Sequence, residues 1–274
     1  MPIKRLLWLL GFLAIATVAC VESKSEDTSA GTALSAKTSA ITVAAAASLQ
    51  NSLQEIKSVY EQQSDVDIIY SFGSSGSLTQ QILQGAPVDV FLSASNEWMD
   101  KLSEKGEIVE DSYKPLLTNA LVLTTPKRSS QNKNIGSLLD LKKYADIAIA
   151  VGAPDSVPVG RYTQQALSAL NLYASLQPKL VYGKSARQVL AYVETGNVDA
   201  GIVYATDALA SARVSAVETV NSALHAPIVY PVAVIQTSQE REAAQAFVNF
   251  LSTPRAKEIF ERSGFGAAPA EQAN

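Results

Sequence analysis

The chain has 274 residues, a net charge of −4 at pH 7, one cysteine and one histidine. This length is enough to bury substantial hydrophobic cores and slightly favours two domains over one. The acidic balance gives no basic field for nucleic acid, and a single cysteine cannot form a disulfide within the chain.

The first 40 residues are predicted to direct export and anchoring of the protein rather than to form part of its fold. Two basic residues at 4 and 5 precede an apolar stretch that ends near residue 19, which is the layout of a secretory signal peptide over 1–19. Cys20 ends this stretch in a TVAC sequence that resembles a bacterial lipobox, although Thr17 stands where leucine is usual. We expect lipidation of Cys20; ordinary cleavage nearby is the alternative. Residues 20–40 are then the lipidated cysteine and a flexible tether.

From residue 41 onward, strand-like and helical patterns alternate. Apolar runs predict strands over 41–47, 66–71, 88–92, 119–124, 146–151, 179–182, 199–204, 217–220 and 228–236. Helical spacing predicts helices over 49–62, 76–84, 96–105, 160–171, 186–195, 206–212, 240–251 and 254–262. Such alternation predicts an α/β fold with mainly parallel sheets flanked by helices.

Several predicted strands stop at a small or hydroxyl residue where a helix begins. Ser48 and Ser75 stand at two such junctions, 157–160 (VPVG) and 183–186 (GKSA) form two others, and Tyr204 ends a buried strand beside another helix. We expect the backbone N–H groups of residues 159 and 160 to be free. A helix N-terminus presents unpaired N–H groups and the positive end of the helix dipole, so it binds anions. In open α/β sheets, ligands bind beyond the carboxyl ends of strands, which are the same junctions.

Seven segments in order resemble one family, the periplasmic molybdate-binding proteins, which capture the substrate of molybdate ABC importers. The resemblance covers about residues 41–265. The segments are 44–49 (AAAASL), 71–75 (SFGSS), 85–94 (GAPVDVFLSA), 152–160 (GAPDSVPVG), 201–208 (GIVYATDA), 230–234 (YPVAV) and 259–265 (IFERSGF).

The resemblance implies a type II periplasmic-binding-protein fold with two α/β lobes joined by two hinge crossovers. Lobe one is expected at 41–119 plus 229–274, and lobe two at 120–228. The residues expected to hold the oxyanion are two serines, two backbone amides and one tyrosine: Ser48, Ser75, Val159, Ala186 and Tyr204. Gly73 and Gly76 depart from the family pattern and predict a more flexible loop around Ser75.

The implied function is that of an extracytoplasmic, non-enzymatic receptor. It would capture molybdate or tungstate between its lobes, without a cofactor, and hand the anion to a membrane permease. The sequence has no P-loop motif, so ATP hydrolysis must belong to a separate partner. We expect a monomer in the periplasm or cell envelope that touches the membrane only through its lipid anchor.

Sulfate or thiosulfate is the alternative ligand, because the sequence does not report the size of the cavity. A protonated phosphate is disfavoured, because its O–H finds no acceptor among hydroxyls and amides. A serine hydrolase would need His225 as its base, and 73–77 (GSSGS) lacks the spacing of a nucleophile elbow. Clusters of Cys and His ligands for zinc are absent from the sequence, and a ferric site usually has clustered tyrosines, whereas Tyr204 stands alone in its motif.

Five charged residues lie near the expected cleft. Arg161, Lys184 and Arg187 either assist the anion or are solvated surface charges, and the second interpretation is favoured. Asp89 and Asp207 are predicted to serve turns, caps or interlobe bonds, because a carboxylate in contact with a dianion would repel it.

Overall fold

The computed structural model describes residues 39–127 and 133–268. The predicted signal peptide, Cys20 and most of the predicted tether lie outside the described residues. In the part of the chain that the structure describes, no helix combines the length and the apolar character that a membrane span needs.

Strands and helices alternate along most of the described chain. The strands are β1 (Ser39–Ala46), β2 (Val66–Gly73), β3 (Val90–Leu92), β4 (Lys114–Thr118), β5 (Leu121–Pro126), β6 (Ile149–Gly152), β7 (Leu180–Gly183), β8 (Ala200–Tyr204), β9 (Val214–Thr219), β10 (Val229–Val234) and β11 (Gly266–Ala267). The α-helices are α1 (Gln50–Tyr60), α2 (Ser75–Leu83), α3 (Asn96–Ser103), α4 (Pro158–Ala169), α5 (Tyr173–Leu176), α6 (Ala186–Glu194), α7 (Ala205–Leu209), α8 (Arg241–Phe250) and α9 (Pro254–Arg262).

The strands form two separate sheets, and each sheet with its helices is one lobe. The first sheet has the order β11-β4-β10-β3-β1-β2, and the second has the order β7-β6-β8-β5-β9. The chain passes from the first sheet to the second between β4 and β5, and returns between β9 and β10. The predicted α/β fold with two crossovers is therefore confirmed; the lobe boundaries at 119–120 and 228–229 stay a prediction.

The sheets are mixed, which differs from the mainly parallel sheets that the sequence predicted. β1 pairs in parallel with β2 and β3, and β6 with β7 and β8. Every antiparallel pair contains β4, β5 or β10. These strands flank the crossovers, where a direct connection between the sheets replaces the strand-helix-strand unit that keeps neighbours parallel.

Two strands were missed by the sequence patterns. β4 contains Pro115, and a proline within an apolar run argues against a central strand. β11 is only two residues long and exposed, so it leaves no hydrophobic pattern. The predicted strand 119–124 begins two residues too early, because Asn119 and Ala120 form the crossover.

Hydrophobic periodicity explains how α1 packs on the first sheet. Leu53, Ile56 and Tyr60 recur on one face of the helix, Leu49 lies directly before it at the same spacing, and all four are buried. They belong to the same core cluster as the inward-facing apolar residues of β1. Full burial of one such side chain contributes about 1.5–3 kcal/mol, so this face fixes the helix beyond the carboxyl end of β1.

A close approach between the end of β6 and the first turn of α4 requires glycine on both sides. A Cβ added to Gly160 would lie 2.0 Å from the Gly152 carbonyl oxygen, and one added to Gly152 would lie 2.8 Å from the Gly160 nitrogen. The absence of side chains here lets the N-terminus of α4, with Val159, lie directly over the end of the strand.

We therefore expect Gly160→Ala to lower the free energy of unfolding by about 1–3 kcal/mol or more, because the backbone must move to admit the methyl group. Gly136→Ala is the matched control, since its Cβ would meet only Asp140 Oδ2 at 3.5 Å. Urea denaturation of both variants measures the difference. Equal stability of the two variants would show that the contact is not tight.

Candidate anion-binding site

A small cavity lies between the two lobes, where strands end and helices begin. Ser48 and Ser75 line it from lobe one, and Val159, Ala186 and Tyr204 line it from lobe two. The structure thus brings all five predicted site residues to one place. That they bind an anion stays a prediction.

The Ser48 hydroxyl is oriented by a hydrogen-bond chain. Ser48 lies in a 3-10 turn, Ala47–Leu49, directly after β1, and its Oγ is 3.0 Å from the Tyr230 hydroxyl. Asn119 Nδ2 donates to Tyr230 Oη at 3.2 Å, and Asn119 Oδ1 accepts from the Ala120 N–H. Tyr230 Oη accepts from Asn119 and can also donate its own proton to Ser48 Oγ, because a hydroxyl has one donor and two acceptor sites. In that arrangement the Ser48 proton is left for a ligand.

Ser75 is similarly prepared as a donor. It is the first residue of α2 and fully buried, and its Oγ accepts a hydrogen bond from the Ala94 N–H at 2.9 Å. The capping role falls to Ser74, whose Oγ accepts from the Ser77 N–H at 3.2 Å. The simple alternative that Ser75 is only a helix cap is therefore wrong, and its proton is available to a ligand.

Two helix N-termini supply backbone amides. Val159 is the second residue of α4 and Ala186 is the first residue of α6, so neither N–H has a partner within its helix. Ser185 caps α6 by accepting from the Gln188 N–H at 3.2 Å, which leaves the Ala186 amide free of the cap. The sequence also predicted a free Gly160 N–H. This is wrong, because the tight first turn of α4 lets Gly160 N donate to the Val157 carbonyl at 2.9 Å.

Tyr204 ends β8 with its hydroxyl buried. The residue is 1% exposed, and among the described residues its hydroxyl oxygen has no hydrogen-bond partner. Burial raises the pKa of Tyr204 well above its ordinary value, so the hydroxyl keeps its proton. A buried hydroxyl without a partner costs about 1–3 kcal/mol, which an acceptor in the cavity would recover.

The cavity wall combines small apolar residues with Ser74 and the five predicted ligands, and no acidic side chain lines it within the described residues. Three of the predicted ligands offer hydroxyls and two offer backbone amides, and the dipoles of α4 and α6 add partial positive charge. Such a wall is suited to a small, fully ionised oxyanion.

The hydrolase alternative finds no support in the position of the histidine. His225 Nδ1 lies 2.8 Å from the carbonyl oxygen of the next residue, Ala226, and its ring is 5.9 Å from the Tyr162 ring. His225 does not line the cavity that contains Ser48 and Ser75. Within residues 39–127 and 133–268, no group of three or more His, Cys, Asp or Glu side chains is placed to hold a metal ion.

The nearby cations differ from one another. Arg161 forms an ion pair with Glu97, and its guanidinium carbon lies 5.9 Å from the centre of the Trp98 ring. Neither Arg161 nor Lys184 lines the cavity. Arg187 is different, because its side chain is only 24% exposed and its Nε lies 3.4 Å from a carboxylate oxygen of Asp207. A solvated surface charge is therefore the wrong description of Arg187. The ion pair of Asp207 lies within lobe two, because α6 and α7 both belong to that lobe, so it is not an interlobe bond.

The cleft is closed by a contact at Gly76. Gly76 N donates to the Ser156 carbonyl of lobe two at 3.0 Å. A Cβ at this position would lie 2.6 Å from that oxygen and 2.7 Å from Trp98 Cζ2. The glycine therefore permits the close approach of the lobes. The flexibility that the sequence predicted around Ser75 stays a prediction.

Asn119 and Tyr230 are the site residues that sequence reasoning missed. Both lie at the crossovers, and Asn119 Nδ2 also donates to Thr206 Oγ1 of lobe two at 2.9 Å. The sequence did contain a signal for both residues, because each is a polar side chain at a predicted hinge. Tyr230 also lies within the matched segment 230–234.

Comparison with known proteins places the chain among binding proteins. The family model described as bacterial extracellular solute-binding protein matches residues 41–266. The molybdate-binding protein ModA of Escherichia coli is 40% identical, over 82% of this chain and 88% of the relative. A Bacillus subtilis protein, YvgL, whose name describes an ABC transporter substrate-binding lipoprotein, is 39% identical over 94% of this chain and 95% of the relative. The periplasmic molybdate-binding protein of Azotobacter vinelandii has the same fold, with a TM-score of 0.74, 24% identity, and coverage of 84% of this chain and 100% of that one.

We expect Gly76→Ala to prevent full closure and to weaken oxyanion binding at least tenfold. Opening the lobes relieves the clash with Ser156, whereas the clash with Trp98 lies within lobe one, so we also expect a lower ligand-free melting temperature. Titration calorimetry and thermal unfolding measure the two effects, with Gly136→Ala as the control. Wild-type affinity in Gly76→Ala would show that this contact does not govern closure.

Proposed function

The chain belongs to the family of bacterial extracellular solute-binding proteins, and we propose that it captures molybdate or tungstate between its lobes and delivers the anion to an ABC permease driven by a separate ATPase. One observation carries the proposal: donors from both lobes converge on one cavity, and the buried Tyr204 hydroxyl has no other partner among the described residues. The relatives are binding proteins, so this chain is a receptor and not an enzyme.

The proposed ligands are the hydroxyls of Ser48, Ser75 and Tyr204 and the amides of Val159 and Ala186. A hydrogen bond to a charged group contributes roughly 1.5–3 kcal/mol, so several together offset the cost of burying a dianion. Micromolar or tighter affinity is the expected result. No further cofactor is required.

Closure of the two lobes is the proposed mechanism of capture. Lobe one comprises 41–119 plus 229–274, and lobe two comprises 120–228. The anion contacts both lobes only when the cleft is closed, so it stabilises the closed state by its differential contacts. The permease then distinguishes the loaded, closed receptor from the empty one.

The donor-only wall favours anions that carry no proton. Molybdate, tungstate and sulfate are fully ionised tetrahedra, whereas a protonated phosphate brings an O–H for which the described residues of the cavity wall offer no acidic acceptor. The name of the Escherichia coli relative favours molybdate. Sulfate or thiosulfate is the alternative that a titration must separate.

We place the receptor outside the cytoplasm, held at the membrane by a lipid on Cys20. The family description supports an extracellular location, and the lipoprotein relative aligns over 94% of this chain. The protein acts as a monomer, and the tether lets it reach the permease from its anchor.

Calorimetric titration of the soluble protein with molybdate, tungstate, sulfate and phosphate tests the proposed function. We expect saturable one-site binding of molybdate and tungstate, and at least hundredfold weaker binding of phosphate. Preferred binding of sulfate would identify the protein as a receptor for sulfate or thiosulfate instead. If none of the four anions binds, the proposal is refuted.

Tyr204→Phe keeps the ring and removes one donor to the anion. We expect affinity for molybdate to fall by about 1.5–3 kcal/mol, which is the value of one charge-assisted hydrogen bond. Ligand-free stability should be unchanged or slightly higher, since the hydroxyl has no partner among the described residues. Wild-type affinity would remove Tyr204 from the site.

Cys20→Ala tests the anchor. The variant should move from the membrane fraction to the soluble fraction, because it lacks the residue that carries the lipid. Detergent partitioning of cells that express wild type or variant measures this change. Identical partitioning of the two proteins would argue against lipidation.

A further inference from the structure

We propose that Arg187 is a positioning residue of the anion site, an inference that rests on the proposed function. Its guanidinium cancels the charge of the buried Asp207 and holds lobe two against the turn that carries Ser48. Neither the sequence patterns nor the family resemblance assigned it this role. The guanidinium does not line the cavity, so it acts through its neighbours and not as a ligand.

The position of Arg187 relates it to three proposed ligands. It follows Ala186 in the first turn of α6. Its Nε lies 3.4 Å from Asp207 Oδ1, and Asp207 is three residues beyond Tyr204 in the same strand-to-helix segment. The same Nε lies 3.4 Å from the carbonyl oxygen of Ala47, the residue before Ser48 in lobe one. One side chain therefore connects both lobes just behind the cavity wall.

Asp207 needs this cation. Its side chain is completely buried, and within the described residues no side-chain hydrogen bond reaches either carboxylate oxygen, although the backbone N–H of Tyr204 is close enough to stabilise the carboxylate. The titratable and charged groups that face it are Arg187 from α6, Tyr204 from β8 and Tyr230 from β10. Since both tyrosines are neutral, Arg187 is the cation that compensates the carboxylate in this part of the structure.

The charge state of Asp207 follows from opposing effects. Burial raises the pKa of Asp207 to about 6, while the Arg187 guanidinium and, more weakly, the backbone N–H of Tyr204 lower it. The carboxylate is therefore ionised at pH 8. If the guanidinium is removed, a negative charge without a counter-ion stays in the wall behind Tyr204, and it repels any anion in the cavity. A carboxylate left alone in an apolar wall is also costly in itself.

The test uses a double-mutant cycle with molybdate as the titrant. We expect Arg187→Gln to weaken binding at least tenfold at pH 8. The loss should be smaller at pH 6.5, because the pKa of Asp207 is higher without the guanidinium and the carboxyl takes up a proton. Adding Asp207→Asn to Arg187→Gln should restore affinity to within about threefold of wild type. Arg255→Gln, which removes only an exposed pair with Glu258, is the matched control.

Three results would overturn the proposal. Arg187→Gln with wild-type affinity at pH 8 would show that the residue has no role in binding. If Arg187→Gln binds molybdate weakly and adding Asp207→Asn does not restore the affinity, Arg187 contributes only packing. If Arg187→Gln fails to fold, Asp207→Asn alone decides: it should bind at least as tightly as wild type, and a tenfold loss would contradict the charge account. Failure of wild type to bind molybdate would instead refute the proposed function.

Discussion

A buried anion must meet donors and no acceptors, and this requirement organises the site. The proposed site supplies such donors. Asn119 and Tyr230 hold the Ser48 hydroxyl in a hydrogen-bond chain, the Ala94 amide occupies the oxygen of Ser75, and the Tyr204 hydroxyl has no partner among the described residues. Under the proposed function, selectivity for unprotonated anions follows from these donors rather than from formal charge.

Helix capping makes the backbone amides available. Ser74 and Ser185 each cap the amide three residues ahead, which satisfies the helix without using the first-turn N–H groups nearest the cavity. Pro158 begins α4 and has no N–H to satisfy, while Gly160 lets that helix lie over the end of β6. The fold thus stabilises the helix N-termini and keeps their positive ends for a ligand.

The sequence predicted most strands and helices and five of the residues that line the cavity, because strand-to-helix junctions leave a strong local pattern. It could not predict contacts between distant segments. The hydrogen bond between Asn119 and Tyr230 joins the two crossovers, the ion pair between Arg187 and Asp207 joins α6 to α7, and Gly76 meets Ser156 across the cleft. Each depends on the packing of the lobes, which no single segment specifies. The strands that flank the crossovers were the least well predicted for the same reason.

The most direct measurement of the central claim is a crystal structure of the protein with molybdate, in which anomalous scattering locates the molybdenum. The account predicts the anion in the cavity, with its oxygens about 2.7–3.2 Å from the three hydroxyls and the amides of Val159 and Ala186. An anion bound elsewhere, or one held by the Arg187 guanidinium with Tyr204 still unpartnered, would contradict it.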